Sequence, residues 1–181
     1  MMNLEPKYYK FQEAFKWVAD ASHGIPKRVP IYAQLCELIP GEMKKSAREV
    51  FHNPELLNVG TFTICEKYGI DVPSVDLDTY NIEAEAIGQK LRFTDDIMPD
   101  IDRAHPLIQE EGDIRKIITP DFDKAGRCPL VIDMYNVFEE LVGVKASMAF
   151  CAPFSLAANI RGIETLIMDM CLNPKFAHEL M

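Results

Sequence analysis

Three short apolar runs, each followed by a helical pattern, limit most strongly what this chain can fold into. The first is Arg28-Val29-Pro30-Ile31-Tyr32-Ala33-Gln34-Leu35; the second spans residues 72–78 and the third 145–151. Each is short, apolar and partly β-branched or bounded by Gly and Pro, which predicts a strand buried on both faces. Strands alternating with long helices specify parallel β/α architecture.

The intervening segments carry the helical signals. Residues 7–20 place Tyr8, Phe11, Phe15 and Val18 at helical spacing, and His23-Gly24-Ile25-Pro26 ends that helix. Ser46 is positioned to cap a short helix through His52. Asn53-Pro54 opens another that runs to Tyr68 and stops at Gly69. Residues 80–87 read as helix closed by Gly88, residues 90–93 as a short extended piece, and the Asp- and Pro-rich stretch 94–124 as loops and short helices. Residues 129–142 present Leu130, Val131, Met134, Val137, Phe138 and Leu141 on one helical face. Pro153 opens a long helix striped by Leu156, Ile160, Ile163, Ile167 and Met170, and Asn173-Pro174 starts a further one.

The expected fold class is therefore α/β: a partial (β/α)8 TIM barrel, with a helical extension over residues 1–24 and about three βα units over residues 25–181. A closed barrel takes roughly 250 residues, and this sequence has 181. Phe176, Leu180 and Met181 continue a helical stripe with no Gly, Asn or basic cap after them, so the barrel is expected to continue beyond these residues.

Charge narrows the partners. Twenty-eight acidic against 19 basic side chains give a net charge of −9, which disfavours nucleic acid and anionic membrane surfaces. The longest apolar run, around residues 146–152, is too short to span a bilayer, and the start carries no signal pattern; a soluble, cytoplasmic protein is expected. The five cysteines form no CxxC pair and no Cys/His group at zinc spacing, so free thiols are expected.

Three segments resemble the uroporphyrinogen decarboxylase superfamily. Ala152-Pro153-Phe154-Ser155-Leu156-Ala157, Arg161-Gly162-Ile163-Glu164, Asp169, Asn173-Pro174 and His178-Glu179-Leu180 are similar to its G-x-P-F-T loop, R-G-x-E helix and N-P-x-x-x-H-x-L helix start, in order. Residues 78–88, Asp-Thr-Tyr-Asn-Ile-Glu-Ala-Glu-Ala-Ile-Gly, resemble the D-x-Y-N-I-E-A-E-A-L-G stretch of its methyltransferase-like branch. Arg28-Val29-Pro30-Ile31 and Glu66-Lys67-Tyr68-Gly69 resemble it more weakly. The resemblance covers the family's first half.

It implies a cobamide (corrinoid)-dependent methyltransferase that moves a methyl group between a corrinoid protein and a small-molecule donor or acceptor. That small molecule would be a thiol, a methylamine-derived carrier or a methoxyaromatic compound. The branch binds zinc through a His-x-Cys and a later Cys in its second half; no His-x-Cys occurs here, so no cofactor is expected within this chain. True decarboxylases use arginines after the first strand to hold a polycarboxylate tetrapyrrole. Here that loop, residues 33–40, has no Arg and contains Glu37, which argues against that alternative. A non-catalytic half-barrel that pairs with a complementary half or forms a homodimer is a further alternative, because three βα units leave open sheet edges.

The candidate substrate-binding residues are Asp78, Asn81, Glu83, Gln34, Cys151 and Phe154; no catalytic residue is assigned. Asp78 ends the second run, at the face where barrel active sites form, and reads equally as a cap for the helix after it. Asn81 and Glu83 follow it, while Glu85 reads as a solvated face. Gln34 and Cys151 end the first and third runs. Asp95-Asp96 reads as a helix start in preference to a carboxylate pair for acid–base work, Arg161 and Glu164 as an exposed ion pair, and His178 as structural.

Overall fold

The computed structural model describes residues 8, 10–24, 28–74, 77–78, 80–146, 149–151 and 153–181. It is mostly helical. The elements run α1 (Lys10–Ala21), α2 (Ile39–Met43), α3 (Ala47–Val50), α4 (Pro54–Tyr68), α5 (Ile82–Ala86), β1 (Leu91–Arg92), β2 (Asp100–Ile101), α6 (Cys128–Val142), α7 (Pro153–Arg161), α8 (Ile163–Leu172) and α9 (Pro174–Leu180). A 3-10 turn, Glu111–Lys116, precedes α6. Two compact units divide the chain: residues 1–77 with 130–148, and residues 78–129 with 149–181.

Local capping chemistry sets the helix ends. Ser46 Oγ accepts from the Glu49 amide while the Glu49 carboxylate accepts from the Ser46 amide, a reciprocal box that starts α3. Asn53 accepts from Leu56 N–H at 3.0 Å and Pro54 takes the first turn of α4; Gly69, at φ 68°, closes that helix in a conformation that favours glycine. Asn173 caps α9 by accepting from Phe176 N–H.

The first unit closes around aromatic rings. Phe62 is fully buried and lies 4.3 Å from Tyr8, 5.6 Å from Phe11 and 5.6 Å from Phe138, measured between centroids. Met134, Phe138 and Leu141 turn the apolar face of α6 into the same core. Asn58 stitches α4 to α6 by donating to the Pro54 and Met134 carbonyls, each at 2.9 Å.

In the second unit, Ala84, Ile108, Ile160 and Phe176 form the core, with Leu107, Leu156 and Leu180 packed against it. Arg161 fastens α7 to its surroundings: Nε donates to Asp169 at 2.7 Å, Nη1 to the Gln109 carbonyl at 2.6 Å, and the guanidinium lies over the Phe176 ring. Its partner is therefore Asp169, two turns into the next helix, and not Glu164.

The expected strands form only in part. Tyr32 and Val72 make one isolated parallel bridge. The first run is not buried on both faces: Val29 is 79% and Tyr32 57% exposed, since no layer of described residues covers them. Residues 75–76 of the second run and 147–148 of the third lie outside the described residues. The described remainder of the third run forms no strand, and Phe150 is exposed. The paired strands are β1 and β2, antiparallel, with Leu91 opposite Ile101 and Arg92 opposite Asp100.

Two further expectations are corrected. The long helix from Pro153 breaks at Gly162, whose φ of 87° leaves the helical range. Register is lost there, so Leu166 becomes the buried residue of α8 while Ile163, Ile167 and Met170 are exposed. No helix starts at Asp95-Asp96; Ile97 N–H bonds instead to Thr94 Oγ1 in a local turn before Pro99.

Asp113 supplies a pH-dependent element. Lys116 at 2.6 Å, then the Gln109 and Glu110 amides, pull its carboxyl down to about 2. A depressed carboxylate stabilises the fold above its unfolded value and loses that contribution as pH falls through the folded one. The stability of the wild type is thus expected to drop between pH 4 and 2, and Asp113→Asn to flatten that part of the curve in urea melts; an unchanged slope would exclude Asp113 as its source.

Candidate functional site

The stretch from Asp78 to Glu85 contains three carboxylates and no Lys or Arg, so its charge must be met from elsewhere in the chain. Arg127, just ahead of α6, meets it. Its Nη2 donates to Asp78 at 2.7 Å and its Nε to Glu85 at 2.7 Å, while the guanidinium lies 5.0 Å from the Phe93 ring centroid. The Asp78 side chain is fully buried and that of Arg127 is 6% exposed. Gly126 makes the approach feasible: a Cβ there would stand 3.0 Å from Glu85 Cγ.

Asn81 completes the cluster. Its amide donates to Asp78 at 2.7 Å and to the Pro99 carbonyl at 3.0 Å, fixing the carboxylate and anchoring the loop before β2. Asp78 is therefore a buried pair member and makes no cap for α5. Burial pushes its carboxyl above the usual range, and the Arg127 guanidinium and Asn81 amide pull it back only in part.

Glu83 has a different partner. Its Oε1 accepts from Cys151 N–H at 2.9 Å, tying the end of the third run to α5. Asn159 adds a second tie from α7 by donating to the Tyr80 carbonyl. Among the described residues, two buried polar atoms here lack a partner: Glu83 Oε2 and Arg127 Nη1. Burying such atoms unmet costs about 1–3 kcal/mol each, more for charged groups, so they call for an explanation.

Of the candidate residues, the structure thus joins Asp78 with Asn81 and Glu83 with Cys151. Phe154, in the first turn of α7, contributes a half-exposed ring. Gln34 is exposed and belongs to the first unit. The Cys151 thiol is pushed up by burial and then by Glu83, which leaves it a poor nucleophile.

Glu85 is corrected from a solvated position to an ion-paired one, its side chain only 20% exposed. The sequence reading missed Arg127, whose neighbours give no local sign of function. The uncompensated acidic stretch was the available signal.

Zinc does not fit these residues. Asp78 and Glu85 converge on a guanidinium, which repels a cation, and among the described residues no group of three or more His, Cys, Asp or Glu side chains is arranged to hold a metal ion. Nor, among those residues, is any helix long and apolar enough to cross a membrane.

Comparison with known proteins places the chain in a family. No curated protein matches the sequence. The fold recurs in a methyltransferase from Methanosarcina mazei, with a TM-score of 0.73 at 15% identity, over 95% of this chain and 51% of that one. The chain spans about half the length of that structure. The family model for uroporphyrinogen decarboxylase (URO-D) matches residues 16–181, nearly the whole sequence. This chain belongs to the uroporphyrinogen decarboxylase family.

Proposed function

We propose that this chain forms part of a cobamide-dependent methyl-transfer enzyme and contributes a small-molecule binding mouth built on Asp78, Asn81, Glu83 and Arg127. The observation that carries this reading is the pair of buried, unmet atoms, Glu83 Oε2 and Arg127 Nη1, inside the segment that resembles the methyltransferase-like branch. An acceptor and a donor held ready in a desolvated site are what an incoming polar group uses for orientation. Asp78 and Asn81 act behind them: the carboxylate holds the guanidinium plane, and the amide holds the carboxylate. Cys151 and Phe154 line the approach.

The pair has no evident stabilising purpose. Burial costs Asp78 more than Arg127 returns, and buried ion pairs are often no better for stability than apolar side chains of the same size. Perturbed carboxylates of this kind cluster at functional sites. The Tyr32–Val72 bridge supports reading the first two runs as neighbouring parallel strands of a partial (β/α)8 barrel. In a methyltransferase of this kind zinc lowers a thiol pKa or polarises an ether oxygen; no step here is assigned to it. The same reading makes a corrinoid protein the partner and the cytoplasm the compartment.

Saturation-transfer NMR on the 181-residue chain tests this, with three probes: 2-mercaptoethanol, methylamine and guaiacol. One probe is expected to bind, and Glu83→Gln to weaken it at least tenfold, on the order of 1.4 kcal/mol. Binding of uroporphyrin I instead, unaffected by Glu83→Gln, would overturn the reading in favour of a decarboxylase; no binding by any probe would remove its support.

A further inference from the structure

The first unit carries a groove that the methyl-transfer reading does not use. It is an open groove of about 980 Å3 between α1 and the end of α4, lined by Phe11, Ala14 and Trp17 from the helix and by Cys65 and Ile70 opposite. That is the upper end of the range for small-molecule sites. Trp17 points away from the Phe11–Phe15 face that packs into the aromatic core and is only half-buried, which leaves part of its indole open to the groove.

The charges around it are unevenly spent. Lys10 is paired with Glu66. Arg28 is paired with Asp71, one bond of 2.7 Å and a second shorter one, and Asp71 also accepts from Ile31 N–H at 2.9 Å. Both basic side chains that line the groove are therefore neutralised within it. Glu13 and Asp20 also line it and have no ion-pair partner among the described residues, which leaves the lining residues a surplus of two negative charges, with the exposed Lys16 one helical turn from each. Trp17 already accepts one cation: the Arg28 guanidinium stands 4.6 Å from its ring centroid.

From this geometry we propose that the groove binds an organic cation with an apolar body, of the aryl- or alkylammonium class. The apolar part fills the space between Phe11, Ala14 and Ile70. The cationic head lies against the indole and between the two free carboxylates, where ring quadrupole and Coulomb attraction act together. A neutral molecule of similar size gains only the first contribution, and an anion is repelled.

Trp17 is the only tryptophan in the chain, so its emission reports the site directly. The full chain is titrated with benzyltrimethylammonium chloride, whose charge is fixed at every pH, and in parallel with benzyl alcohol and with sodium chloride. The expected result is saturable quenching with a Kd on the order of 0.1–1 mM, weaker at higher salt. The benzyl alcohol response should be at least fivefold weaker. Glu13→Gln with Asp20→Asn, both at exposed positions, should cost a similar factor with far-UV circular dichroism unchanged. Glu83→Gln, at the proposed methyl-transfer mouth, should leave the titration untouched, so the two proposals stand or fall separately. No saturation below about 10 mM, or equal binding of benzyl alcohol, or indifference to the double charge substitution, would each overturn the assignment.

Discussion

Replacing Arg127 with Met is expected to destabilise the protein by about 3–5 kcal/mol at neutral pH, the usual cost of leaving one member of a buried ion pair behind. The substitution keeps much of the aliphatic bulk against Phe93 but strands the Asp78 carboxylate, whose side chain is fully buried, with the Asn81 amide as its one remaining side-chain partner among the described residues. The pH dependence follows from the sign of the Asp78 shift. Its folded carboxyl already sits above the ordinary value, so the folded state binds the proton more tightly than the unfolded one, and this contribution is lost as pH rises through the folded value. Without the guanidinium the shift grows. The deficit of Arg127→Met is therefore expected to be small near pH 4 and to open towards pH 7.

Urea melts followed at 222 nm measure this. Adding Asp78→Asn to Arg127→Met is expected to recover most of the loss, because a neutral amide tolerates burial that a carboxylate does not. Arg127→Lys should fall between, since a single ammonium cannot reach Asp78 and Glu85 as the fork does. A deficit under about 1 kcal/mol, level across pH, would mean that the pair is not the buried element described above.

The second large effect is expected at Phe62. Its ring is fully buried and makes contact with those of Tyr8, Phe11 and Phe138, so truncation to Ala removes one side of every stack at once. The cost should be about 3–5 kcal/mol, from lost transfer energy together with the cavity left behind. Phe62→Leu, which keeps most of the volume, should cost less than about 1.5 kcal/mol. Because α1 contributes Phe11 and Phe15 to this core, loosening it should also move the Trp17 emission to longer wavelength before global unfolding. Equal melting of the Ala and Leu variants would show that the ring stack carries little of the stability.

Helix ends proved legible because their causes are local. Ser46 with Glu49, Asn53 with Pro54, Gly69, and Asn173 with Pro174 each act within four residues, and all four perform in the structure as the sequence implies. The strands were less legible, since a strand exists only through a partner. Tyr32 finds Val72 forty residues away and bridges it once, while the exposed Val29 and Ile31 show that an apolar run fixes no burial by itself. Gly162 carried a local sign of a break, yet the apolar stripe on either side of it outweighed that sign. Arg161 bypasses Glu164 for Asp169 because the helix restarts between them.

In the candidate site, Asp78, Asn81 and Glu83 were found through a motif. The group that organises them was not. Arg127 lies 49 residues beyond Asp78, between the loop-rich residues 94–124 and the helix expected over 129–142, and nothing within its own neighbourhood distinguishes it from an exposed arginine. Only the three carboxylates without a local cation pointed towards such a residue, and they could not say which one.

The most direct test of the proposed mouth is a crystal structure of the chain soaked with whichever probe binds by NMR. The prediction is a polar group of that ligand within about 3 Å of both Glu83 Oε2 and Arg127 Nη1, the two buried atoms that lack partners among the described residues. A ligand seated elsewhere, with ordered water satisfying both atoms, would contradict it.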